Sequence, residues 1–221
     1  MGVTGAESVG VTGAESVGVG VAANVEVAST PPVSCAVDAT SVKVLLPLTP
    51  REVRSMARRL RPVELDFTAS APVRLVFTAT LAAPPAAVYR SLAVEVGSTP
   101  SWFTALASAV PTGDGTGRSV RLRGGIALEE TILAAEPRVR YAYRVDTTNA
   151  PGPTAMAEEW ALSPAGRGTT LRWTMAADGP APFRLALRCA RPGLGRSFRG
   201  AARRLDRRLT PARTPSPGSS R

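Results

Sequence analysis

Residues 118–177 have the sequence RSVRLRGGIALEETILAAEPRVRYAYRVDTTNAPGPTAMAEEWALSPAGRGTTLRWTMAA, in which short apolar segments alternate with turn residues. Segments of strand length cover residues 126–135, 138–146, 154–162 and 169–177. They are separated by the turn residues Glu136-Pro137, Pro151-Gly152-Pro153 and Pro164-Ala165-Gly166. Because each turn reverses the chain between two strands, the pattern predicts one curved antiparallel sheet.

Apolar and aromatic side chains recur at every second position of these strands, so they share one face of the predicted sheet. A slip of one residue would reverse that face, whereas a slip of two residues would not. The same face carries two carboxylates, and helical patterns on both sides of the region can cover it. The residues assigned to this face are Ile126, Leu128, Glu130, Ile132, Val139, Tyr141, Tyr143, Val145, Met156, Glu158, Trp160, Leu162, Leu171, Trp173 and Met175.

The composition excludes several kinds of active site. The chain has no histidine, which excludes Ser-His-Asp catalysis, Cys-His catalysis and metal ligation by imidazole. The two cysteines, Cys35 and Cys189, lie too far apart for a metal or redox motif, so no metal and no cofactor is expected. No segment has the roughly 18 consecutive apolar residues of a membrane helix. We therefore expect a reduced, cytoplasmic location, and the excess of Arg, Ala, Gly and Pro indicates a bacterial, GC-rich genome.

The length of 221 residues predicts one domain with tails. Residues 2–9 and 10–17 are the same octapeptide, and small residues predict a disordered extension over 1–48. Residues 49–61 form a short helix or linker, because Thr49-Pro50-Arg51-Glu52 is typical of a helix start. Met56 resembles a natural start, so residues 1–55 are expected to be dispensable for folding. The domain then covers 62–210, and 211–221 form a disordered tail.

Further elements flank the predicted sheet. Val73–Leu81 alternates as a first strand, and two short helices begin at Pro84-Pro85 and at Thr99-Pro100. The Gly-rich residues 111–118 lack the Gly-Lys-Ser/Thr ending of a phosphate-binding loop, so we interpret them as a connection between strands. Residues 183–209 have helical periodicity with an interruption at Pro192-Gly193, where the helix should kink or divide into two.

These motifs resemble, over about residues 63–210, the START-like or SRPBCC superfamily in its polyketide cyclase/dehydrase-like branch. The resemblance rests on Val73–Leu81 followed by Ala83-Pro84-Pro85, on Pro100-Ser101-Trp102, on residues 125–144, and on Glu159-Trp160 followed by Gly168-Thr169-Thr170-Leu171-Arg172-Trp173. It implies an α+β helix-grip fold: a curved seven-stranded antiparallel sheet around a long C-terminal helix, with two small helices after the first strand. Members of the superfamily include lipid carriers, polyketide cyclases and proteins without a known ligand, and they share no catalytic motif.

The apolar face has two interpretations, a filled core or the wall of a ligand cavity. Residue types alone favour a filled core, since aromatic clusters usually pack against each other. The resemblance instead implies space beneath the long helix. The candidate ligand-binding residues are Phe77, Trp102, Phe103, Leu122, Leu128, Ile132, Tyr141, Tyr143, Met156, Trp160, Trp173, Met175, Leu187 and Phe198.

Glu130, Glu158 and Tyr143 are the candidate catalytic residues. Desolvation in a cavity would raise the pKa of a carboxyl group and would suit it to acid or base catalysis. Alternatively both glutamates point outward or pair with arginines, since an uncompensated carboxylate is costly in an apolar site. In the preferred register, Glu129 and Glu159 lie outside, near Arg144 and Arg172, as surface pairs.

The C-terminal region carries many arginines, which could contact a membrane surface or a nucleic acid. The arginines named for this contact are Arg184, Arg188, Arg199, Arg203 and Arg207. The alternative is an ordinary solvated helix face. Three functional hypotheses remain at this point: a non-enzymatic carrier or sensor of a small hydrophobic or aromatic ligand, a cyclase or dehydratase that uses a pocket carboxylate, and an anionic-surface adaptor.

Overall fold

A computed structural model describes residues 57–210 of the chain, and the predicted extension 1–48 and tail 211–221 lie outside them. The strands β2 to β8 pair in the order β2-β8-β7-β6-β5-β4-β3, and every pair is antiparallel. This confirms the predicted seven-stranded sheet, to which a short strand β1 is added beside β6. The strands are β1 Arg58–Arg59, β2 Val73–Leu81, β3 Leu106–Thr112, β4 Gly117–Leu122, β5 Ala127–Glu136, β6 Arg140–Thr148, β7 Ala155–Ala165 and β8 Gly168–Asp178.

Short helices and two consecutive C-terminal helices complete the fold. The second helix continues as a π-helical turn over Arg90–Val94, and a 3₁₀ turn follows at Val96–Ser98. The Gly-rich residues 111–118 join β3 to β4 through a 3₁₀ turn at Gly113–Gly115, as predicted for a connection between strands. The helices are α1 Phe67–Ser70, α2 Pro85–Tyr89, α3 Thr99–Trp102, α4 Ala181–Cys189 and α5 Arg191–Leu209.

The strand registers place the predicted face inward. In β7 and β8, Glu158 lies opposite Met175 and Trp160 lies opposite Trp173. Between β5 and β6, Glu130 lies opposite Val145, but the register shifts on either side of residues 130–132. These shifts are bulges, which bend a strand and increase its twist. Despite these bulges, Glu130 remains on the concave side of the sheet, as the alternation predicted.

The long C-terminal segment divides where the sequence predicted. Ala190 separates α4 from α5, and Pro192 occupies the first turn of α5, where its missing N–H costs nothing. The apolar stripe of α5 packs on the sheet through Phe198, Ala201, Ala202 and Leu205, all of which are buried. No residue of α4 is fully buried, so α4 covers the sheet less closely than α5 does.

The segment before β2 differs from the prediction. Most of the predicted helix 49–60 lies outside the described residues, but its last part is wrong because Arg58–Arg59 is extended and pairs with Thr147 and Thr148. The β6 backbone is open there, since β7 pairs with β6 only as far as Arg144. The short helix α1 was not predicted, and it covers the outer face of the sheet. Its small cluster consists of Val63, Phe67, Ala71, Ala155, Ala157 and Ala176.

No helix within residues 57–210 is both long enough and apolar enough to span a membrane.

Candidate functional site

A cavity of about 290 Å³ lies between the concave face of the sheet and the junction of α4 with α5. Strands β3 to β8 contribute its floor, α3 closes one side, and Leu187, Ala190, Leu194 and Ser197 contribute the helical roof. Nearly all of its surface is apolar. The polar exceptions cluster on β4, β5, β6 and β7, because Arg118, Glu130, Tyr143 and Glu158 occupy inward positions of neighbouring strands.

An aromatic cluster forms one wall. Trp160 and Trp173 lie opposite each other on β7 and β8, and their rings stack with centroids 5.4 Å apart. Phe103 meets both indoles edge to face at 6.1 and 5.8 Å, and Trp102 meets Trp160 edge to face at 6.2 Å. Such pairs add to stability beyond simple burial, which fixes the shape of this wall. All three tryptophans of the chain line the cavity.

A buried ion pair forms the polar end of the cavity. Nε of Arg118 donates to Oε2 of Glu130, and the two residues are only 6% and 5% exposed. The guanidinium carbon of Arg118 lies 3.6 Å from the centre of the Tyr143 ring, a cation–π contact that orients the arginine. Glu130 therefore both faces the cavity and pairs with an arginine, which combines two of the alternatives that the sequence left open.

Glu158 is held by a second set of hydrogen bonds. The hydroxyl of Tyr143 donates to its Oε2 over 2.7 Å, and Nε1 of Trp173 donates to the same oxygen over 2.9 Å. Nε1 of Trp160 in turn donates to the Tyr143 hydroxyl over 3.0 Å. Tyr143 thus connects the Glu158 carboxyl to the face of the Arg118 guanidinium.

Burial dominates the acid–base properties of this group. Burial raises the pKa of Glu130 to about 7, and Glu158 adds to the rise while the charge of Arg118 opposes it. Burial also raises the pKa of Glu158, against the hydrogen bonds from Tyr143 and Trp173. For Arg118, burial lowers the pKa, but Glu130 and the two tyrosines outweigh burial and raise it above the ordinary value. The arginine stays charged, and burial disfavours the ionised form of both carboxyls.

Several polar atoms of the lining remain available to an occupant of the cavity. Oε1 of Glu130 and Oε1 of Glu158 form no hydrogen bond within residues 57–210, and Oγ1 of Thr99 and Nε1 of Trp102 are buried there without a partner. Buried polar groups are usually hydrogen-bonded, so each such atom marks a place where a bound molecule or water can contribute the missing bond.

The structure brings most of the candidate residues together. Trp102, Phe103, Leu122, Leu128, Tyr141, Tyr143, Met156, Trp160, Trp173, Met175 and Leu187 line the cavity, with Glu130 and Glu158. Phe77, Ile132 and Phe198 do not. Phe77 and Phe198 lie behind Trp173, with ring centroids 5.5 and 5.9 Å from it, and Ile132 packs at the edge of the core.

Arg118 is the functional residue that sequence reasoning missed. It has the same parity as Val120 and Leu122 on β4, and both of these line the cavity. The alternation therefore indicated that Arg118 faces inward. An inward arginine is expected, however, only where a carboxylate lies opposite it. The register gives that partner, because Arg118 lies directly opposite Glu130.

Glu129 and Glu159 point to the outer face as predicted, but only Glu159 pairs with its predicted arginine. Glu159 pairs with Arg140 at 3.6 Å and with Arg172 at 3.7 Å on the outer face. The predicted neighbourhood of Glu129 and Arg144 gives no ion pair. Glu129 accepts a hydrogen bond from Ser119, and Arg144 pairs with Asp146 and Glu64, because the register shift after Glu129 moves the two side chains apart.

The arginines of α4 and α5 are mostly exposed. Arg184 pairs with Asp178 at 3.7 Å, and Arg188 donates to the carbonyl oxygen of Pro72 at 3.1 Å. Arg199, Arg203 and Arg207 are exposed and form no ion pair within residues 57–210.

Comparison with known proteins agrees with this fold. The uncharacterized protein Rv2574 of Mycobacterium tuberculosis is 36% identical over 156 residues, which cover 68% of this chain and 92% of that protein. The structure of XoxI from Bacillus cereus superposes with a TM-score of 0.51 at 13% identity, covering 62% of this chain and 95% of that one. Major latex-like protein 151 of Panax ginseng superposes with a TM-score of 0.50 at 9% identity, covering 63% and 98%.

A family model described as polyketide cyclase/dehydrase and lipid transport matches residues 72–210, which contain the whole cavity wall. The resemblance to the START-like superfamily that the motifs indicated is thereby confirmed, together with the helix-grip fold. The chain belongs to the polyketide cyclase/dehydrase and lipid transport family.

Proposed function

We propose that this protein binds one small, mainly apolar or aromatic molecule in the cavity and serves as its carrier or sensor without converting it. The observation that carries the proposal is the cavity itself, an apolar space with a single polar end, in a family whose fold binds hydrophobic ligands. An apolar molecule that fills this space removes its aromatic and aliphatic lining from water and adds van der Waals contacts, so such an occupant is favoured.

The volume limits the size of the ligand. A cavity of about 290 Å³ holds roughly ten water volumes of about 30 Å³ each. It lies at the lower end of the range typical of small-molecule sites, about 300–1,000 Å³. The ligand is therefore of the size of a bicyclic aromatic compound or a short hydrocarbon chain, and it lies against the stacked Trp160 and Trp173.

The charges at the polar end select an uncharged ligand. Arg118 contributes one positive charge, whereas Glu130 and Glu158 contribute up to two negative charges, so the site has no unpaired positive charge to offer an anion. A ligand carboxylate would add a further negative charge to a buried site, which is costly. A neutral hydroxyl group can instead donate to the free oxygens of the glutamates, and a carbonyl group can accept from Nε1 of Trp102.

Native mass spectrometry of freshly purified protein, combined with tryptophan fluorescence, tests this proposal. All three tryptophans line the cavity, so ligand entry should change their emission directly. We expect a retained small molecule, and we expect 2-naphthol to bind at least about tenfold more tightly than 2-naphthoate, because the anion must lose its hydration in a site of like charge.

A matched pair of variants locates the binding. Met156→Phe adds bulk to a flexible cavity wall, and we expect it to weaken 2-naphthol binding by at least about tenfold. Leu185→Phe makes a similar change on α4 at a side chain that is 52% exposed, and it should leave binding unchanged. The proposal is wrong if neither a retained molecule nor 2-naphthol binding is found, or if both variants bind equally well.

A second candidate function is supported by the raised pKa values. A carboxyl group with a pKa of about 7 at a cavity wall can give or take a proton near neutral pH, as a cyclase or dehydratase requires. In this case Glu130 or Glu158 is the acid or base and Tyr143 orients it. Conversion of the retained molecule, seen as loss of one water in the mass spectrum and abolished in Glu130→Gln or in Glu158→Gln without loss of binding, would favour this function over the carrier.

A further inference from the structure

A second concave site lies on the opposite side of the C-terminal helices from the cavity. It is a groove of about 530 Å³ between the edge strand β2 and the junction of α4 with α5. Phe77 lies at its floor with the buried Phe198 next to it, and Arg188, Arg191, Arg196 and Arg199 surround it. The roof residues of the cavity, such as Leu187 and Leu194, belong to the other face of the same helices, so the two sites do not share side chains from this junction.

The groove has four positive charges and no carboxylate in its lining. Arg191, Arg196 and Arg199 form no ion pair within the described part of the chain, and Arg188 is held by the carbonyl oxygen of Pro72 rather than by an acid. Arg191 lies over the Phe77 ring at 6.0 Å. Four like charges around one depression repel each other, and an anion bound among them would relieve that repulsion.

The helix packing fixes this arrangement. At Gly195 the helix α5 approaches β2 so closely that an added Cβ would lie 3.1 Å from Cε1 of Phe77 and 3.3 Å from Nη1 of Arg199. The close approach brings the arginines of the first turns of α5 over the aromatic floor.

We propose that this groove binds the phosphate group of a phosphate ester, with the arginines around the phosphate and the organic part against Phe77 and Pro192. Guanidinium groups match phosphate oxygens through paired hydrogen bonds, and a phosphate has enough oxygens and charge for several arginines at once. A carboxylate has one charge and two oxygens, so it leaves most of these donors unused. The ester comes from a soluble metabolite or from a phospholipid headgroup, since the chemistry that the groove recognises is the same.

Binding of phenyl phosphate to the full chain, measured by isothermal titration calorimetry, tests the proposal. We expect Arg191→Gln/Arg199→Gln to weaken binding by at least about tenfold, because hydrogen bonds to charged groups are lost. The control is Arg203→Gln/Arg207→Gln, which removes the same charge from exposed positions of the same helix outside the groove. The control should retain binding within about twofold.

Three results would overturn the assignment: no binding of phenyl phosphate, equal losses in the two double variants, or binding of benzoate as tight as that of phenyl phosphate. The first would mean that the groove does not bind a phosphate ester, the second that only the overall charge of the helix matters, and the third that any anion suffices. Vesicles of phosphatidylcholine with phosphatidic acid form the second arm. Vesicle binding that is lost in Arg191→Gln/Arg199→Gln but not in the control assigns the phosphate to a lipid headgroup, and binding of phenyl phosphate alone assigns it to a soluble ester.

Discussion

Arg118 carries a charge that it cannot release, because Glu130 and the two tyrosines raise its pKa above that of a free guanidinium although burial opposes the rise. A buried charge is stable only with a counter-charge, and the cavity supplies two carboxyls, Glu130 and Glu158. One of them suffices. Burial raises the pKa of both carboxyls, and for Glu130 the negative charge of Glu158 adds to that rise.

Because either carboxylate can neutralise Arg118, we expect the effects of replacing Glu130 and Glu158 on the free energy of unfolding to be strongly non-additive. We expect Glu130→Gln and Glu158→Gln to lower the free energy of unfolding by about 1 kcal/mol each at pH 6, the net value of one hydrogen bond, because the remaining carboxylate still neutralises Arg118. The double variant leaves Arg118 without a counter-charge and should cost about 3–5 kcal/mol. Urea unfolding of the four proteins at pH 6 gives the coupling energy directly.

The pH dependence supplies the control for this cycle. Because the pKa of Glu130 is raised in the folded state to about 7, the folded protein holds a proton there that the unfolded chain has released. Its contribution to stability is complete below about pH 4.3 and is lost as the pH rises to about 7. The stability of the natural protein minus that of Glu130→Gln should therefore fall between pH 4.5 and 7.5. A rise over the same range would indicate an ordinary salt bridge with a lowered pKa.

At the scale of the elements, the alternation of apolar residues and the positions of turn residues predicted the strands and the turns that join them. The pairing of Glu158 with Met175 and of Trp160 with Trp173 follows from the short turn between β7 and β8, which leaves little freedom of register. The bulges in β5 were not predictable, because they depend on the bending of the sheet around α5. The helix-start pattern at Thr49-Pro50-Arg51-Glu52 predicted a helix that included Arg58–Arg59. These two residues are extended instead, because they pair with the open backbone edge of β6.

Two glycines with opposite roles test the packing of these elements. An added Cβ at Gly168 would lie 2.1 Å from the carbonyl oxygen of Leu81, so Gly168→Ala forces β8 away from β2 and should destabilise by about 1–3 kcal/mol. At Gly193 in α5 the added Cβ meets nothing within 4 Å. Gly193→Ala should therefore stabilise by up to about 1 kcal/mol, the difference in helix propensity. Thermal unfolding of both variants measures the two signs, and a stable Gly168→Ala would contradict the described strand pairing.

The cavity is a property of the whole molecule. Alternation predicted which side chains face inward, and this included most of the lining, but it could not predict the distance between the helices and the sheet. That distance is set by α5, which approaches β2 closely at Gly195 and packs through the small residues Ala201 and Ala202. The close contact at the β2 side leaves the space under the α4–α5 junction open, and Phe77 and Phe198 lie behind Trp173, outside the lining of that space, contrary to their assignment from the sequence.

The expectation that residues 1–55 are dispensable for folding also concerns the whole molecule. In the described structure, every strand lies at or after Arg58, and both hydrophobic clusters are formed by residues from Leu60 onward. Removal of residues 1–55 should therefore leave the free energy of unfolding within about 0.5 kcal/mol, as for changes away from packed features. The matched control removes residues 1–61, which also deletes β1 and the bonds from Arg58 to the carbonyl oxygens of Ala150 and Pro153, at 2.7 and 2.9 Å.

The control should be destabilised by at least about 2–5 kcal/mol, because it also loses the buried side chain of Leu60, which is 6% exposed. Urea unfolding and native mass spectrometry of the three proteins measure stability and ligand retention together. Equal losses in both shortened chains would show that residues before Met56 contribute to the domain. Full stability without ligand retention in the shorter deletion would instead show that these residues act on the cavity and not on the fold, since nothing in residues 57–210 would then have changed its packing.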